Sequence, residues 1–138
     1  MKKVGRVIIP IGMKPQPADH EKGVAKILAD HYGCDIIFLE PRKGYKMKTP
    51  DIVMVGKEWE IKSPTGSSPQ SIEQQFRKAK RQSRSIIIDT SRSHLDDKTM
   101  LQKVISEVRR RRRIKQVILV DKKDKVLEIN EPYSYNKK

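Results

Sequence analysis

The stretch PDIVMVGKEWEIKSPTG, residues 50–66, places Asp51, Glu58, Glu60 and Lys62 among apolar residues that alternate with them. Carboxylates and an ammonium on one surface can hold a hard divalent cation and offset charge that builds on a phosphate. Whether these side chains converge depends on how the segment folds back on itself. Two strands, DIVMV and EWEIK, leave Gly56 and Lys57 between them, which predicts a tight two-residue turn with glycine first. The register then opposes Met54 to Trp59, Val53 to Glu60, Ile52 to Ile61 and Asp51 to Lys62. Ile52, Met54, Trp59 and Ile61 share an apolar face. Asp51, Glu60 and Lys62 meet at the open end of the other, with Glu58 nearer the turn. Asp51 and Glu60 become diagonal neighbours at roughly 7–8 Å between backbones, within reach of one shared cation.

Two readings fit this hairpin. In the first it is an edge whose charges block strand-to-strand aggregation, with Asp51 and Lys62 as a surface ion pair. In the second the two carboxylates repel one another and a bound metal relieves the repulsion, with Lys62 as a weaker counter-charge. The second is favoured by apolar Val53 and Val55 on the charged face and by the run SIIID, which needs a central position beside the hairpin.

Elements positioning the hairpin follow from periodicity. Val7 to Ile11 is a short edge strand closed by Pro10 and Gly12. Residues 19–32 form a helix whose stripe is Val24, Ala25, Leu28 and Tyr32, with Gly33 as stop, Asp19 or a neighbour as cap and Glu21 on its first turn. Cys34 to Leu39 is a buried strand. The basic loop EPRKGYKMKT leads to the hairpin, and SPTGSSPQS is a turn carrying helix-start signals. The next helix runs to about Ser83, with Ile72, Phe76 and Ala79 turned inward at spacings of four and three. Ser85 to Asp89 is a central strand joined to the hairpin by a right-handed parallel crossover. Asp96 or Asp97 opens a third helix with Leu101, Val104, Ile105 and Val108 inward, ending in Arg109 to Arg113. Gln116 to Val120 and Val126 to Ile129 form a last hairpin. The expectation is an α/β domain over residues 1–131, a mixed central sheet flanked by helices, and a frayed tail over 132–138.

Composition narrows the partners. The 138 residues suit one domain with a core that needs no disulfide. With 31 Lys and Arg against 17 Asp and Glu the formal charge is +14, a field that attracts nucleic acid first. No segment approaches the roughly 18 apolar residues of a spanning helix, and the N-terminal residues do not form a signal peptide, so a soluble protein with no membrane partner is expected. The single Cys34 excludes an internal disulfide. Aromatic residues, 5% of the chain, are too few for a single-strand stacking platform, so backbone and shape recognition is expected. His20, His31 and His94 lack metal-ligand spacing, and His20 is of interest only as the neighbour of Glu21.

Pro50-Asp51 followed by Glu60-Ile61-Lys62, with an acid-bearing helix before and a helix and strand after, resembles the core of the PD-(D/E)xK nucleases, the restriction-endonuclease-like fold. The run WEIKSPTG, with IEQQFRKAKRQS and SIIID after it, is similar to the C-terminal tRNase toxin domain of CdiA-type contact-dependent inhibition effectors, over about residues 17–92. The resemblance implies Asp51 and Glu60 as ligands of Mg²⁺ or Mn²⁺, joined by the carbonyl of Ile61 and by Glu21, with Lys62 as the catalytic lysine. It implies a metal-dependent nuclease acting in the cytoplasm on tRNA ahead of DNA, and an acidic immunity or inhibitor protein as partner. The alternatives are a DNA endonuclease of the same fold and a non-catalytic basic module. Candidate nucleic-acid contacts are Lys46, Lys48, Ser63, Thr65, Gln75, Arg77, Lys78, Arg81, Arg109, Arg110 and Arg112. A helix end also accounts for some of the Arg109–Arg113 run.

Overall fold

Alternating strand and helix periods in the sequence become three layers. The computed structural model describes residues 4–41, 50–79, 85–111 and 113–129. Its elements are β1 (Val7–Ile8), α1 (Asp19–Tyr32), β2 (Ile36–Phe38), β3 (Ile52–Met54), β4 (Lys57–Lys62), α2 (Pro69–Ala79), β5 (Ser85–Asp89), α3 (Asp97–Arg110), β6 (Gln116–Val120) and β7 (Val126–Ile129). Lys46, Lys48, Arg81, Arg112, the expected end of the second helix near Ser83 and the tail 132–138 lie outside the described residues.

Among the described residues the strands form one seven-stranded mixed sheet in sequence order. β4, β5 and β6 run parallel, β1 and β2 run parallel, and the remaining neighbours are antiparallel. Two apolar cores cover the sheet faces. Val24, Ala25 and Leu28 of α1 pack on Ile36, Ile52, Trp59, Ile61 and Ile87. Ile72 and Phe76 of α2 and Met100, Val104 and Val108 of α3 pack with Ile86, Ile88, Val117 and Leu119 on the other face. Fully buried Phe76 anchors α2, and its truncation to Ala costs about 3–5 kcal/mol. β5 is buried along its whole length, as a central parallel strand must be. β2 instead alternates, with Ile37 outward.

One expectation holds and one needs correction. α1 spans Asp19–Tyr32 with Asp19's neighbour Ala18 at the cap position, and the free Ala18 N–H is satisfied by Glu21 Oε1 at 2.9 Å. A reaching-back glutamate replaces the missing side-chain cap. The hairpin turn consists of Val55 and Gly56, with φ of 51° and 71°, rather than Gly56 and Lys57. Two consecutive left-handed residues match the twist of the flanking strands. Met54 therefore pairs with Lys57, Val53 with Glu58 and Ile52 with Trp59. The ladder has slipped by an even number of residues, so each side chain keeps its expected face.

Candidate active site at one end of the sheet

The chain enters β3 and leaves β4, β5 and β6 at the same end of the sheet, and α1, α2 and α3 all begin there. Crevices beyond the carboxyl ends of parallel strands are where α/β proteins place ligands. Asp51, Glu60 and Lys62 lie at this end, and the corrected register brings Asp51 closer to Glu60 than the diagonal placement did. The Asp51 N–H donates to the Trp59 carbonyl at 2.9 Å, and the Ile61 N–H donates to Asp51 Oδ2 at 2.7 Å. Asp51 therefore spans the position across the ladder from Glu60.

The aggregation-blocking reading fails on position, because β4 is flanked by β3 and β5 and is no edge strand. Glu60 is only 3% exposed. Its Oε2 meets Lys62 Nζ at 3.1 Å, while its Oε1 is buried with no donor among the described residues. Burial, and then the charge of Asp51, push the Glu60 carboxyl up to about 8. Burial also pushes Asp51 up, the Ile61 N–H opposes it, the charge of Glu21 adds to it, and Lys62 opposes it. Two ionised carboxylates have no hydrogen to share, so the pair needs either one proton between them or a cation.

Glu21 thus has two relations, a cap at its own helix end and a charge felt by Asp51. Both residues line one cleft with Phe38, Leu39 and Pro50. Ile61 turns its side chain into the opposite core and offers the site only its main chain. Hard carboxylate oxygens with one left without a donor fit Mg²⁺ or Mn²⁺, which keep several waters and take one or two protein carboxylates. Among the described residues no group of three or more His, Cys, Asp or Glu side chains forms a preassembled cage.

Apart from Gln75, the expected nucleic-acid contacts among the described residues divide between two ends of the molecule. Ser63, whose Oγ donates to Asp89 Oδ2 at 3.0 Å, and exposed Thr65 follow Lys62 at the carboxylate end. Gln75 is halfway along α2. Arg77 is paired with Glu73 at 2.8 Å, and it and Lys78 sit in the last turn of α2. Arg109 and Arg110 end α3, at the same far end. An α-helix of 14 residues is about 20 Å long, which separates them from the carboxylates. Buried Glu107 collects Lys103, Arg110 and Arg111 there. Burial pushes its carboxyl up, but bonds from Arg111 and Lys103 outweigh this and hold it low.

Sequence reasoning missed Asp89 and Arg92. Asp89, 3% exposed, is a polar close to an apolar strand at the ligand-facing end, and that alone marks it for attention. Arg92 Nη1 lies 3.4 Å from His20 Nε2, a tertiary approach that no local pattern signals.

A solved chain described as a CdiA-CT/CdiI toxin and immunity complex from Burkholderia pseudomallei shares the fold at 17% identity, with a TM-score of 0.66 over 91% of this chain and 98% of that one. No curated protein matches the sequence. No described helix is long and apolar enough to cross a membrane. The family model for the contact-dependent growth inhibition CdiA C-terminal domain matches residues 48–126, a span that contains Asp51, Glu60, Lys62 and Asp89. The chain belongs to that family of CdiA C-terminal toxin domains.

Proposed function

We propose that this domain is a metal-dependent nuclease of the PD-(D/E)xK type that hydrolyses phosphodiester bonds in RNA, with tRNA preferred over DNA. The observation that carries the reading is Glu60: a buried carboxylate pressed against Asp51, with Lys62 on one oxygen and, among the described residues, no donor on the other. Such a group costs stability in the apo protein and becomes favourable when a cation joins it.

Asp51, Glu60 and the Ile61 carbonyl would hold Mg²⁺ or Mn²⁺, with Glu21 at the cleft wall as a further acid. Bound there, the ion supplies Lewis acidity toward the phosphate and lowers the pKa of a coordinated water. The Ile61 N–H fixes one oxygen of Asp51 and leaves the other for binding. Lys62, part-buried beside Glu60, orients the water that attacks phosphorus and offsets the charge growing on the phosphoryl oxygens. The P–O bond to the 3′-oxygen breaks, that oxygen takes a proton, and the products carry a 5′-phosphate and a 3′-hydroxyl.

The +14 formal charge supports a polyanionic substrate. The basic, aromatic-poor composition suits folded RNA recognised by shape and 2′-hydroxyls. The relation to a toxin–immunity complex supports an inhibitor protein as the second partner, and an acidic one complements this charge. Incubating the protein with total RNA and with plasmid DNA, in Mg²⁺ and in chelator, tests the reading. RNA degradation only with metal is expected. Plasmid degradation with RNA untouched would favour a DNA endonuclease, and binding without cleavage would favour a basic binding module.

A further inference from the structure

Two separate routes, each made of chain neighbours and contacts, lead from the carboxylate cluster to one exposed side chain, Arg92. The first begins at Ser63, next to Lys62 at the close of β4. The Ser63 Oγ donates to one oxygen of buried Asp89 at 3.0 Å, and the other oxygen accepts the Ser91 N–H at 3.0 Å. Arg92 is the next residue. The second begins at Glu21, whose charge acts on Asp51. His20 adjoins Glu21, and its Nε2 lies 3.4 Å from Arg92 Nη1. A guanidinium only donates, so a hydrogen bond between the two uses the imidazole Nε2 as acceptor.

The loop bearing Arg92 is held at several points. Thr90 Oγ1 donates to the Val120 carbonyl at 2.7 Å. The Leu95 N–H donates to Ser93 Oγ at 3.1 Å, and the His94 N–H donates to the Gly66 carbonyl at 3.3 Å. Lys122 Nζ donates to the Ser93 carbonyl. The loop presents Arg92 to solvent, and among the described residues its partner is a ring nitrogen rather than a carboxylate. A positioned guanidinium whose charge is not cancelled by an anion suits a phosphate, whose oxygens match its fork of donors.

We propose that Arg92, steadied by His20 and by the Asp89-anchored loop, is a backbone-phosphate contact that seats RNA against the Asp51–Glu60–Lys62 cluster. This rests on the nucleic-acid reading above and adds a binding residue to it.

The test is tRNA affinity at a series of salt concentrations, in chelator so that nothing is cleaved, for the parent chain, Arg92→Gln, Arg92→Lys and Lys26→Gln. Lys26 is the control, paired with Asp30 along α1. Arg92→Gln should weaken binding roughly five- to tenfold and lower the slope of log affinity against log salt by about one. Arg92→Lys should keep most of the slope, and Lys26→Gln should match the parent. Parent-like affinity and slope in Arg92→Gln would overturn the proposal while leaving RNA binding intact. Equal loss in Arg92→Gln and Arg92→Lys, with a lowered melting temperature, would overturn it in favour of a structural loop residue. No tRNA binding by the parent would overturn this proposal and the RNA reading together.

Discussion

The ammonium of Lys62 lies 3.1 Å from one oxygen of Glu60, and the other oxygen of that carboxylate is buried with no donor among the described residues. Lys62 therefore half-compensates Glu60 and leaves it able to accept a cation. Glu60→Gln and Lys62→Ala should each reduce cleavage by at least about a hundredfold. Glu60→Gln should melt no lower than the parent, because it removes a charge that burial disfavours. Circular dichroism and initial rates in Mg²⁺ check both points, and parent-like rates in both variants would move the chemistry elsewhere.

Stability should also depend on pH through the same carboxylate. The folded chain holds the Glu60 proton up to about 8, whereas its ordinary value is 4.5. Between these values the unfolded state binds fewer protons, so the apo protein loses stability as pH rises through that window. The upward shift of Asp51 acts in the same direction from its own ordinary value. Melting temperatures measured from about pH 5 to pH 8 should fall more steeply for the parent than for Glu60→Gln. Mg²⁺ or Mn²⁺ should restore the parent at the upper end and release protons on binding. Parallel curves for the two proteins would contradict this.

Val55 is a β-branched residue with φ of 51° in the hairpin turn, a conformation that favours Asn or Gly. Val55→Asn should stabilise by about 1 kcal/mol. Gly56 stands at φ 71° with open space around it, so Gly56→Ala should cost about 1 kcal/mol from backbone strain alone. Denaturant titration reads both effects. The opposite order of stability would restore the Gly56–Lys57 turn.

The basic ends of α2 and α3 are a helix length away from the carboxylates, so they should act on binding and not on chemistry. Arg109→Gln with Arg113→Gln leaves Glu107 its bonds to Lys103, Arg110 and Arg111. The double variant should raise KM for tRNA several-fold, reduce the salt slope by up to about two, and leave kcat unchanged. Unchanged KM would reduce this end to a helix-dipole and solubility role.

Much of the arrangement is legible in periodicity. Alternation sets which hairpin residues face which core, the run SIIID marks the central strand, and Gly33 marks the end of α1. The turn misleads because glycine suits several turn types and nothing local announces a valine at positive φ. The burial of Glu60 is not readable, since it depends on β5 and the α2 layer closing over β4. The approach of His20 to Arg92 joins residues 72 positions apart, and only the assembled sheet brings them together. Glu21 is ambiguous because one carboxylate has both a capping position and a place at the cleft wall.

Hydrolysis at the Asp51–Glu60–Lys62 cluster is tested most directly by end-group analysis of cleaved tRNA. The parent should produce 5′-phosphate and 3′-hydroxyl ends in Mg²⁺ or Mn²⁺ and no cleavage in chelator, and Glu60→Gln should produce neither end under the same conditions. Cleavage to 2′,3′-cyclic phosphate ends that proceeds equally well in chelator and in Glu60→Gln would contradict metal-dependent hydrolysis at this cluster.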